Sequence, residues 1–306
     1  MAQLRRGYLF GVAAYLCWGL FPLYWKLLRP ATPVEILAHR VVWSLVFVAL
    51  IITASRHWAQ IRTLLRRPDR LRLIMLASVV IGVNWGVYIY GVNSDRVVET
   101  SLGYFINPLV TVLLGVFVLR ERLRRLQWVA IGVGAAAVAV LTADYGHVPY
   151  LALSLAVSFG LYGLIKKRLA VPATNSLLME SAVLALPALA YIGVLIATDR
   201  STFGQISLSH SLLVIAAGLV TSVPLLLFAG AANRIPLSAL GLLQYLAPVL
   251  QLGCGVLVYH EPMPPARLAG FMLVWVALAI FTWDGIRSAR STRATTLANL
   301  PDPARV

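Results

Sequence analysis

The residues of this sequence with chemistry to offer are ionisable side chains inside apolar runs. Glu35, His39 and Arg40 stand near the start of one run, residues 34–54, and Glu180 lies about two turns into another, residues 175–197. In hydrocarbon such a side chain costs about 2.5–3.5 kcal/mol or more, so it needs a partner or a watered cavity. Glu35 and His39 are four residues apart and share a helix face. His39, Arg40 and Glu180 are therefore candidates for a coupling role or another use of intramembrane charge, with a structural ion pair as the alternative. Lys26 and Glu35, close to helix ends, are expected to snorkel to the interface.

A second set surrounds two prolines. Pro108 and Pro248 fall near the middle of the runs 98–119 and 236–258. Proline frees the carbonyl one turn back and weakens the helix there. Tyr104 and Asn107 precede the first, Gln244 and Tyr245 the second. At 1.5 Å per residue both prolines lie roughly 15–18 Å deep, the centre of a core about 30 Å thick. Matched helix breaks at the midplane point to a transport site, with a packing kink as the alternative. Tyr104, Asn107, Gln244 and Tyr245, with Asn84 and Trp85 as one wall, form the candidate substrate-binding set. That lining carries no fixed charge and favours a neutral or zwitterionic small molecule.

Catalysis finds no foothold. The chain lacks H-E-x-x-H, G-x-S-x-G and the phosphate-binding G-x-x-x-x-G-K-[ST]. Its two cysteines, Cys17 and Cys254, both lie in apolar runs and imply neither a disulfide framework nor a metal site. No cofactor and no metal is expected. A membrane-embedded enzyme acting on a lipid-linked substrate stays the alternative to a gradient-driven permease.

The elements that position these residues are membrane helices. Of the 306 residues 60% are hydrophobic and 12% charged, far from the balance of a soluble domain. Ten runs are long enough to cross a bilayer: 8–28, 34–54, 72–92, 98–119, 126–142, 149–166, 175–197, 210–230, 236–258 and 266–286. The net charge of +15 sits in short loops between them, which argues against a nucleic-acid partner. With the N-terminus inside, twenty of the 26 Lys and Arg residues, Arg305 among them, fall on the cytoplasmic side. Four fall outside, leaving Lys26 and Arg40 within spans. That bias places both termini in the cytoplasm.

The two halves resemble one another. Asn93, Pro108, Gly115 and Glu121 recur as Asn233, Pro248, Gly255 and Glu261, each 140 residues later. Trp18-Gly19 recurs as Phe159-Gly160, Lys26 as Lys167 and His39 as Glu180, at 141. Five helices per copy is odd, so the second copy is inverted. The expected fold is an all-α integral membrane protein of ten transmembrane helices. The first five-helix repeat covers 1–142, the inverted repeat 143–286 and a disordered cytoplasmic tail 287–306.

Ala38-His39-Arg40, Asn84-Trp85, the run Ser101 to Val110, Glu121-Arg122-Leu123, Val223-Pro224-Leu225-Leu226 and Gln244-Tyr245 resemble segments of the EamA-type drug/metabolite transporter superfamily. The likeness extends from Gly7 to Ile286. It implies ten helices from a duplicated five-helix unit, both termini inside, and transport. It brings no binding residues of its own. The expected setting is the bacterial inner membrane. The expected partners are a small-molecule substrate and the lipid bilayer, with a homodimer left open.

Overall fold

The computed structural model describes residues 2–120, 122–235, 239–240 and 243–298. Glu121 and Arg305, used above for the repeat and the charge bias, lie outside the described residues, as does part of the run 236–258. Among the described residues every regular element is helical. The helices are α1 (Ala2–Gly19), α2 (Phe21–Leu27), α3 (Pro33–Ala54), α4 (Trp58–Leu65), α5 (Pro68–Asn93), α6 (Val97–Leu119), α7 (Arg125–Tyr145), α8 (Tyr150–Leu169), α9 (Ala173–Ala197), α10 (Leu208–Ala232), α11 (Leu246–Gly253) and α12 (Pro265–Ala298). A π-helical turn, Cys254–Val258, extends α11. Helix α12 continues past Ile286, where a disordered tail is expected, to Ala298.

Seven of these helices are long and apolar enough to cross a bilayer, or eight if the bent pair α1 and α2 is one span. The other two expected spans correspond to α8, whose last turn carries Lys166, Lys167 and Arg168, and to the shorter apolar stretch Leu246–Val258. Large apolar side chains face outward, among them Leu186 at 76% and Leu257 at 75% exposure, as lipid contact requires.

Local sequence sets the helix ends. Thr32 caps α3 by accepting the Glu35 N–H, with Pro33 in the first turn; Ser207 accepts the His210 N–H at the start of α10. Pro22 ends α1: the chain bends by 42° between Gly19 and Phe21. The Trp18 carbonyl that would have bonded residue 22 receives the Gln251 side-chain amide at 3.1 Å, and Tyr259 donates to the Pro22 carbonyl at 3.2 Å. Side chains from the α11 region thus satisfy the broken turn, which is what makes a break tolerable in lipid.

The described chain divides into two compact units. One is Met1–Asn107 with Tyr150–Pro262, the other Pro108–Pro149 with Met263–Val306. Neither coincides with a sequence half. In the larger unit α3 packs against α9 and α10, and α5 against α8. Gly218 on α10 meets the main chain of Trp43, so a β-carbon there would collide with backbone. Such close approach through small residues drives helix association where lipid removes the hydrophobic term. In the smaller unit α7 packs along α12, tied by Arg267 to Asp144 at 2.8 Å and by Arg124 to Asp284.

Candidate functional site

Arg40 sits on the second turn of α3, and its side chain runs into the larger unit. Only 4% of the residue is exposed. The guanidinium carbon lies 4.1 Å from the Trp85 ring of α5, with the Trp25 and Phe21 rings of α2 at 5.0 and 6.0 Å. Tyr24, Tyr88 and Tyr104 stand within electrostatic range. Tyr88 and Tyr104 meet edge to face at 5.6 Å, and Tyr104 touches Phe159 at 6.1 Å. Among the described residues no hydrogen-bond or ion-pair partner reaches Arg40, and its Nε is fully buried. Nε1 of Trp25 and Oη of Tyr88 are also buried, with no hydrogen-bond partner among the described residues.

Sequence reasoning separates Arg40 from the Tyr104 set; the structure joins them. Trp85 is the closest ring to the guanidinium, so the expectation of a lining without fixed charge does not hold. Asn84 is committed elsewhere, its amide donating to the Leu155 carbonyl at 3.1 Å and to Ser158 Oγ at 2.9 Å. It ties α5 to α8. Asn107 is half-buried one turn beyond Tyr104. Gln244 and Tyr245, also half-buried, form the turn before α11.

The prolines act differently from expectation. Helix α6 runs uninterrupted through Pro108. Pro248 stands in the first turn of α11, where a missing N–H costs nothing, and the break falls one turn earlier at Gln244-Tyr245. The cause is the same in kind: Pro248 brings no N–H to the carbonyl of residue 244, and its ring crowds that carbonyl.

The other ionisable groups in the apolar runs differ in how they are paired. Glu180 binds Lys166 at 3.0 Å and receives hydrogen bonds from Tyr162 Oη at 2.9 Å and from Ser176. Among the described residues no hydrogen bond or ion pair joins it to His39, whose ring lies tilted against Phe203 at 4.9 Å and whose buried Nε2 has no partner there. Glu35 does not snorkel. It is 1% exposed and accepts the Thr202 N–H at 2.7 Å and the Thr202 hydroxyl at 3.0 Å. Lys26 pairs with Asp95 at 2.6 Å and lies 3.4 Å over the Tyr259 ring. That hydrogen bond holds the Asp95 carboxyl below its ordinary value. Glu261 accepts the N–H groups of Val97 and Val98 at 2.6 and 2.8 Å, capping α6. Burial nonetheless pushes its carboxyl pKa up.

Sequence reasoning missed Phe21, Trp25 and Tyr88. The signal was available in part, since Phe21 and Trp25 are four apart on one face and Tyr88 lies one turn past Asn84.

Comparison with known proteins covers nearly the whole chain. The sequence pattern of the EamA-like transporter family matches residues 5–143 and 149–283. The chain is 57% identical over 299 residues to "Protein RarD" of Streptomyces exfoliatus, covering 98% of this chain and 95% of the relative. It is 42% identical over 297 residues to "Uncharacterized transporter YojE" of Bacillus subtilis, covering 96% and 99%. A solved crystal structure aligns with 92% of this chain and 98% of its own at a TM-score of 0.59 and 23% identity, a likeness of fold alone.

Proposed function

Because the chain belongs to the EamA-like transporter family, we propose that it is a secondary-active permease of the bacterial inner membrane. It moves a small metabolite or drug-like amphipath by alternating access between two inverted five-helix repeats. That it is a membrane transporter follows from the family and from transporter-named relatives over nearly the whole chain. The observation that carries the mechanism is the family match in two successive segments, 5–143 and 149–283, which fits a duplicated unit. The residues recurring at offsets of 140 and 141 support it independently. Five helices per copy then forces inversion, and inversion supplies two mirror-related arrangements of one set of contacts. The charge bias of the loops supports cytoplasmic termini.

The substrate path in this reading passes Tyr104 and Asn107, with Trp85 beside them and Gln244 and Tyr245 from the ninth span. Asn84 holds the wall through α8. Pro108 and Pro248 weaken the helices where they must flex. His39, with an unpartnered ring nitrogen, is the better candidate for exchanging a proton than Glu180, whose carboxylate is saturated.

Sealed inside-out vesicles with and without the protein, incubated with a cell metabolite extract, test the reading. A solute that accumulates only with the protein, only under an ion gradient, and that exchanges with itself in counterflow is the expected result. Chemical conversion of a lipid with no solute flux would instead support the enzyme alternative.

A further inference from the structure

Arg40 poses an electrostatic problem that the fold leaves open. A cation inside the hydrocarbon region is expensive, and the usual remedies are snorkelling, a carboxylate partner or water. Arg40 begins about 10 Å into α3 at 1.5 Å per residue, and at 4% exposure it does not reach the interface. Glu35, five residues away, spends Oε1 on Thr202, and among the described residues its Oε2 has no partner, so it does not serve Arg40. The nearby Lys26 is itself occupied by Asp95.

The surroundings define what is missing. Aromatic rings stabilise the faces of a guanidinium but leave its in-plane N–H edge unbonded. Trp85 at 4.1 Å and Trp25 at 5.0 Å supply such faces. The unpartnered groups here, Arg40 Nε, Trp25 Nε1 and Tyr88 Oη, are all able to donate, and the two nitrogens can only donate. A region rich in unused donors around one positive charge is complementary to an acceptor bearing one negative charge. A carboxylate matches the guanidinium edge with two parallel hydrogen bonds. A neutral molecule would leave the charge uncompensated. A doubly charged phosphate would exceed the single charge of Arg40.

We propose that Arg40 is the anchor for a carboxylate on the transported solute, a small monoanion whose apolar or aromatic body lies against Trp85, Tyr88 and Tyr104. This rests on the permease reading and replaces the neutral solute with an anionic one. Because Arg40 is buried, the ligand reaches it only when the surrounding helices part, as alternating access requires. Arg40 then touches substrate, whereas Asn84 positions the wall that carries Trp85.

The test uses matched acid and amide pairs of one shape: benzoate and benzamide, phenylacetate and phenylacetamide, hexanoate and hexanamide. Each is titrated into the purified full chain in nanodiscs while tryptophan fluorescence is followed, since Trp25 and Trp85 flank the site. At least one acid is expected to bind about tenfold or more tightly than its amide, the scale of a charge-assisted hydrogen-bond pair. Arg40→Gln should erase that preference, and Arg40→Lys, which keeps charge but not the planar fork, should retain part of it. If no acid outbinds its amide in the wild-type protein, the proposal is overturned; that comparison needs no variant. A preference that survives Arg40→Gln overturns it as well. Counterflow of the bound acid in proteoliposomes is measured separately: binding without flux under any gradient defeats the permease reading and leaves the anchor standing.

Discussion

Arg40 on α3 and Glu180 on α9 are both nearly fully buried, at 4% and 1% exposure, yet their surroundings differ in kind. Glu180 holds Lys166, Tyr162 and Ser176. Arg40 holds rings and, among the described residues, no counter-charge. At an offset of 141 residues the two neighbourhoods correspond: Phe21 with Tyr162, Trp25 with Lys166, His39 with Glu180 and Arg40 with Ser181. The Glu180 neighbourhood neutralises its charge internally, and the Arg40 neighbourhood keeps an open valence between aromatic faces. A charge with all its partners present is architecture. A charge without them is a place where something else completes the site.

The comparison assumes that α3 and α9 enter the membrane from opposite faces, so that Arg40 lies in the outer half and Glu180 in the inner half. Breaking that assumption is the all-or-none test. With Cys17 and Cys254 replaced, single cysteines at Ala59 and Arg125 should resist an impermeant thiol reagent in intact cells. Cysteines at Val148 and Gln205 should react fully. All four positions are exposed. Labelling at Ala59 from outside would invert or discard the ten-helix topology and, with it, the correspondence.

The next largest effect is on stability. Removing one member of a buried ion pair costs about 3–5 kcal/mol because the other charge is left unpaired. Lys166 keeps 23% side-chain exposure and is partly screened, so Glu180→Ala should cost about 3 kcal/mol, toward the low end. Arg40→Met removes a charge that has no ionic partner and substitutes an apolar side chain. Lost contacts with Trp85 and Trp25 oppose the relief of desolvation, and the net change should stay within about 1 kcal/mol. Thermal unfolding in detergent measures both. Equal losses would make Arg40 as structural as Glu180 and end the contrast.

How far the sequence foretold this follows from the range of each interaction. Membrane helices announce themselves through composition along one stretch of chain, so α3, α5, α9 and α10 fall where the apolar runs do. Arg40 was conspicuous for the same reason, as a charge in the wrong solvent. Its aromatic surroundings come from α2, α5 and α6, which no periodicity in one segment reveals. The destination of the Asn84 amide is likewise a tertiary choice, fixed only once α8 lies alongside. Pro22 breaks α1 inside the single run expected over 8–28, and that Gln251 satisfies the Trp18 carbonyl depends on residues more than two hundred positions away. The short α4, within the basic loop 55–71, lacks the apolar length that makes a span legible.

Glu261 offers the finest discrimination, because it falls between the two extremes. Its carboxylate has two main-chain donors, Val97 and Val98, yet burial dominates and raises its pKa above the ordinary value of 4.5. The folded state therefore binds the proton more tightly than the unfolded chain does. By linkage its contribution is fully present below the ordinary carboxyl value and is lost as pH rises through the raised one. Glu261→Gln keeps an acceptor for α6 and cannot ionise. It should flatten the pH dependence of unfolding above 4.5 relative to wild type, at a cost of about 1 kcal/mol or less. Glu261→Ala, which removes the cap altogether, should cost about 1–2 kcal/mol. Unfolding temperatures of the three proteins across that pH range read the difference directly. A wild-type curve that becomes more stable with rising pH while Glu261→Gln does not would mean the two N–H groups outweigh burial. Glu261 would then stand with Glu180 as a satisfied charge, on the far side of the comparison from Arg40.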